Sequence, residues 1–86
     1  MTLDDISNQL YNLANSGDPE FAQAATYVAQ VAQAVQSGQM STAEMAEILR
    51  DVQRQLSIID DMSRLAFKET LNSCITGLIT LAGLPI

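Results

Sequence analysis

No histidine or tryptophan occurs in this chain, and it has a single cysteine, a single lysine and two prolines. Without histidine there is no side chain that ordinarily titrates near neutrality, and no Glu-x-x-His pair of the kind that builds di-iron sites. Neither calcium-loop spacing nor a glycine-rich phosphate cradle is present. The serines, with no histidine and only Lys68 beside them, offer no evident activated nucleophile. Asp4-Asp5 and Asp60-Asp61 are adjacent pairs. Neighbouring helical residues point about 100° apart, so neither pair converges on one ion. No catalytic residue, metal site or cofactor is therefore expected.

Basic residues are also scarce. Four of them face ten acids, for a formal net charge of −6. Nucleic-acid affinity rests largely on Lys and Arg displacing counterions, so a phosphate-binding surface is not expected. The four bases, Arg50, Arg54, Arg64 and Lys68, are interleaved with Glu47, Asp51, Asp61 and Glu69, which reads as a solvated ion-pair face, with Asp60 placed to pair with Arg64 one turn on. Residues 1–20 carry four acids and no base, residues 21–43 no charge, and residues 70–86 again none. The acidic N-terminus, MTLDDISNQL, lacks the positive charge of a leader segment, and a cytoplasmic location follows by default.

What the chain does have is helical periodicity. A first helix, about 3–15, carries the stripe Leu3, Ile6, Leu10 and Leu13, with Thr2 as its cap and Met1 placed to staple onto Ile6. Ser16-Gly17-Asp18-Pro19-Glu20 combines a stop and a restart: glycine after one helix, aspartate as the next N-cap, proline in the first helical position. A second helix, about 19–37, has Phe21, Ala24 or Ala25, Val28, Val31 or Ala32, and Val35 on its apolar side. Its opposite stripe is Gln23, Thr26, Gln30, Gln33 and Ser37.

After the tight Gly38-Gln39-Met40 link, Ser41 and Glu44 form a capping box and Met40 can staple onto Met45. From there the stripe Met45, Leu49, Val52, Leu56, Ile59, Ser63, Phe67, Leu71, Cys74, Leu78 and Leu81 runs on at about 3.6 residues per step. This predicts one nearly straight helix over 42–82, about 60 Å long, ended by Gly83 and Pro85. Ile58, Met62 and Leu65 form a second apolar face on its middle, suited to the first helix or to another protomer.

The expected fold is all-α and a single domain over residues 1–86: a short N-terminal helix plus a long antiparallel hairpin. The second helix covers only the first half of the third, which leaves the overhang, roughly residues 61–84, to the first helix, another protomer or both, and the expected fold completes its core by oligomerisation. The expected interface is Ile58, Met62, Leu65, Phe67, Leu71, Cys74, Leu78 and Leu81. Cys74 on the main stripe reads as a small buried hydrophobe. The uncharged tail from Thr70 is too short and too interrupted to span a bilayer, and it lacks the Lys, Arg and Trp of interfacial helices.

The reading that follows is a non-enzymatic structural, adaptor or assembly protein whose partners are its own copies, most simply in a dimer, and another protein. The rivals are a monomeric regulator that binds one partner through an apolar groove, and peripheral membrane association through the tail. The acidic, Ala- and Gln-rich make-up suits a small phage or mobile-element protein, with no motif that specifies one. Replacing Ser41 with Ala should remove the cap and lower stability by about 1 kcal/mol, measured by urea denaturation, with no change in solution mass.

Overall fold

The computed structural model describes residues 3–82 and is all-helical there. Its elements are α1 (Leu3–Ala14), α2 (Pro19–Gln36), α3 (Thr42–Ser57), a 3-10 turn (Met62–Arg64) and α4 (Leu65–Leu81). The expected caps at Thr2 and Gly83, and the staple from Met1, lie outside the described residues.

The local signals act as the residue types dictate. Gly17 and Gly38 both adopt positive φ, +86° and +80°, a region that side-chain-bearing residues rarely occupy. At Gly38 the chain closes α2 in a Schellman motif, with Gly38 N–H donating to Val35 O (3.1 Å) and Gln39 N–H to Ala34 O (2.9 Å). Asp18 caps α2 by accepting from the backbone N–H groups of Glu20 and Phe21. The Ser41–Glu44 capping box is formed in both directions. Met40 packs against the core to which Met45 belongs.

The expected unbroken helix over 42–82 is not formed, and neither is the long hairpin built on it. The chain leaves α3 after Ser57, turns through Ile58–Asp61, and re-enters a helix by the 3-10 turn. Three side chains hold the corner. Asp61 accepts from the backbone N–H and the hydroxyl of Ser63 (3.0 and 2.7 Å), which caps the new start. Lys68 Nζ donates to the carbonyl of Ile59 (2.8 Å), in the turn just past the C-cap of α3. Arg64 reaches back to Asp18 across the bundle.

Magnitudes explain why the chain breaks here without Gly or Pro. The corner gives up about four intrahelical hydrogen bonds, each worth roughly 1 kcal/mol net. Folding back buries Leu71, Cys74, Ile75, Leu78 and Ile79, and an aliphatic side chain moved from water to a core gains about 1.5–3 kcal/mol. The burial gained is larger than the hydrogen bonding given up.

One core results, drawn from all four helices: Ile6, Leu10 and Leu13; Phe21, Ala25, Val28 and Val31; Met45, Ala46, Leu49, Val52 and Leu56; and the five from α4. Contacts join α1 to α2 and α4, and α3 to α2 and α4. A half-buried hydrogen bond from Gln53 Nε2 to Thr76 Oγ1 (3.3 Å) links the middles of α3 and α4. No polar or charged side chain is buried among the described residues. Replacing Leu71, which is fully buried, with Ala should cost about 2–5 kcal/mol through lost contacts and the cavity left behind. Chemical denaturation followed by circular dichroism checks this, and a cost below about 1 kcal/mol would contradict the packing described.

Candidate functional site

The expected interface residues separate into two sets. Leu71, Cys74 and Leu78 are turned into the core of the single chain, and Phe67 is half-buried against it. The covering expected from the first helix, a second protomer or both is supplied for these residues by α1, α2 and α3. Ile58, Met62, Leu65 and Leu81 stand exposed. Ile75 and Ile79 lie off the expected stripe and are nevertheless buried, because α4 is enclosed by three neighbours and presents a broader apolar face than two helices would need.

At the α3–α4 corner, Ile58 and Met62 are the most exposed large apolar side chains of the described residues, at 80% and 78% of full accessibility, with Leu65 beside them at 38%. Ile59, next in sequence, packs on the core. The corner thus displays apolar side chains on a backbone fixed from several directions.

Behind it lies the principal polar cluster. Arg64 is half-buried. Its Nε donates to Asp18 Oδ2 (2.8 Å), its Nη2 to Asp18 Oδ1 (3.0 Å), and Nη2 also reaches Glu20. The guanidinium lies 4.7 Å from the centre of the Phe21 ring, and Phe21 packs on Phe67 with ring centroids 5.8 Å apart, tilted by 47°. A cation fixed by two carboxylates and stacked on an aromatic face is a strong tie between α2 and the start of α4. The expected Asp60–Arg64 pair is replaced by this arrangement. The helix break carries Arg64 away from Asp60 and onto α2, and Asp60 is exposed. The continuous ion-pair face is likewise divided: Arg54 pairs with Asp51 on α3, while Lys68 is spent on the corner.

Ionisation follows these contacts. The Arg64 hydrogen bonds hold the Asp18 carboxyl below its ordinary value, assisted by the backbone N–H groups of Phe21 and Glu20 against some desolvation. Asp61 is lowered chiefly by the Ser63 hydroxyl and backbone. Burial raises the Cys74 thiol, which lies 3.5 Å from Gln9 Oε1. Buried as expected, it is a poor thiolate.

The second surface lies between α1 and α2, a furrow of about 420 Å³ lined by Ile6 and Leu10 from α1 and by Ala25, Ala29 and Ala32 from α2, with a further hollow of about 290 Å³ at the end where α1 begins and α4 finishes. The Gln23, Thr26, Gln30, Gln33 and Ser37 stripe is exposed throughout. Among the described residues no group of three His, Cys, Asp or Glu side chains is placed to hold a metal ion, and no helix is long and apolar enough to cross a membrane. No family model, characterised protein or solved structure matches the chain.

Beside Asp61, Asp18 supplies the part of the acid dependence that the Arg64 hydrogen bonds set. Its carboxyl is depressed in the folded chain, so its contribution is present above the unfolded value of about 3.9 and is lost as pH falls through the lower folded value. Acid titration of Arg64→Ala should therefore lose less stability below about pH 4 than the parent does, with the variant less stable than the parent at neutral pH. Equal acid slopes in denaturation curves would show that the pair contributes nothing.

Proposed function

We propose that the chain is a non-enzymatic helical interaction module, a structural, adaptor or assembly component that works through protein contacts and self-associates through its α3–α4 corner. The observation that carries this reading is the pair Ile58 and Met62, large apolar side chains displayed almost fully to solvent on a corner held by Asp61, Lys68 and Arg64. An apolar group held in place before binding loses little freedom on docking, which favours its use as an interface centre. Single exposed hydrophobes are ordinary, but Ile58, Met62 and Leu65 fall within eight residues of one corner.

Charge around the corner suits a contact between copies. Asp51, Arg54, Asp60 and Asp61 give its exposed surroundings both signs, so a two-fold arrangement can place Asp60 or Asp61 of one copy opposite Arg54 of the other. The three apolar residues supply the centre of an interface; a stable one needs about 800 Å² per partner, which the flanks of α3 and α4 must complete. A second reading, a monomer that engages one specific protein through an apolar groove, draws support from the furrow between α1 and α2.

Light scattering across a concentration range tests the first reading. The parent should approach twice the chain mass as concentration rises, and the double variant Ile58→Glu/Met62→Glu should remain monomeric with an unchanged helical spectrum. A parent that stays monomeric at every concentration, or a double variant that still dimerises, would defeat it.

A further inference from the structure

We propose that the furrow between α1 and α2 is a docking site for an amphipathic helix of another protein, one that lays an apolar edge along the furrow and flanks it with Lys or Arg side chains. The inference rests on the second reading above, a protein-binding groove between α1 and α2, and names its occupant; it does not depend on self-association at the corner.

Shape gives the first part. Ala25, Ala29 and Ala32 line its α2 side, and small residues there let a helix backbone approach closely, while Ile6 and Leu10, both buried, line it from α1. Leu3 and Tyr11 stand along the α1 side, Leu3 partly exposed and Tyr11 largely so. The furrow follows α1 from Leu3 to Ala14, about 18 Å at 1.5 Å per residue, which matches roughly three turns of a bound helix. It shares Leu3, Ala32, Gln36 and Leu78 with the hollow at its lower end, so the apolar surface is continuous past the end of α2. Thr26, Gln33 and Gln36 border it with neutral donors and acceptors. A helix seated there presents anchors at i, i+3 or i+4, and i+7.

Charge selects the occupant. No Asp, Glu, Lys or Arg lines either the furrow or the hollow. Among the described residues, the charged side chains at that end of the bundle include Asp4 on the first turn of α1 and Glu44 on the first turn of α3. No Lys or Arg occurs before Arg50, in the middle of α3. On α1, Asp4 sits one turn before Ser7 and two before Tyr11, both of which line the furrow. A second copy would bring its own acids to this end, whereas a helix with basic flanks meets the acids with opposite charge.

The test is titration of the isotope-labelled full chain with a synthetic Leu/Lys amphipathic peptide of about 14 residues, against a Leu/Glu peptide of the same apolar pattern. Expected are saturable binding of the Leu/Lys peptide alone, weakening with added salt, and amide shifts concentrated at Tyr11, Ala29, Ala32 and Gln36. Ala29→Lys, at an exposed position on the α2 side of the furrow, should weaken binding about tenfold or more through bulk and like charge, with the helical spectrum unchanged. Asp4→Asn should weaken it a few-fold, and Ile58→Glu/Met62→Glu should leave it intact. Failure of both peptides to bind, equal binding of the two, or shifts confined to the α3–α4 corner or the outer face of α3 would overturn the proposal. So would a dimer that Ala29→Lys disrupts, which assigns the furrow to a second copy, or nuclear Overhauser contacts from Leu84 or Ile86 to Ala32, which assign it to the chain's own end.

Discussion

The contact between Arg64 and the start of α2 governs the shape of the molecule. Asp18 already has a task there, since its carboxylate accepts the first free N–H groups of α2. The same carboxylate receives the guanidinium of Arg64, which lies over the Phe21 ring while Phe21 leans on Phe67. One acidic side chain thus serves both as helix cap and as an anchor for a segment 46 residues away. The polar ends of this cluster remain partly wet, and the aromatic rings below them lead into the core. Such a site avoids the full desolvation cost of a buried ion pair and still fixes where α4 begins.

Much of this architecture is readable from the residues. Ile6, Leu10 and Leu13, and Phe21, Ala25, Val28 and Val31, are buried as their spacing indicates. Asp18-Pro19, Gly38 and Ser41-x-x-Glu44 mark boundaries through chemistry confined to a few neighbouring residues. The corner at residues 58–61 is different. Ile59, Ser63, Phe67 and Leu71 continue the spacing of α3 straight through it, and neither Gly nor Pro interrupts them. What turns the chain is tertiary: Arg64 finds its partners on α2, Lys68 finds a carbonyl nine residues back, and α4 gains more burial by folding back than a continuous helix would keep. The local trace that was present is Asp61 two residues before Ser63, an acid poised to cap a fresh helical start.

The candidate surfaces were less legible for a related reason. Ile58, Met62 and Leu65 stand out because they lie off the main stripe, but their exposure follows from the corner and not from any property of a straight helix. The furrow is built by two helices from different parts of the chain, so no single periodic stripe announces it. Its alanines look, in one dimension, like the tight packing side of α2. Only the arrangement of α1 against α2 reveals which of them line an open channel.

The placement of α4 also governs when the fold can appear. Three of the helix contacts join neighbours in sequence through short links, the kind of local topology that folds quickly. The packing of α1 against α4 joins the first helix to the last, and α4 supplies Leu71, Cys74, Ile75, Leu78 and Ile79 to the shared core. During synthesis from the N-terminus, α1, α2 and α3 are therefore made before the side chains that roof them exist. Until α4 is added, the apolar side chains of α1, α2 and α3 that it covers lack their roof, and apolar surface left open in this way is what exposes an incomplete chain to association.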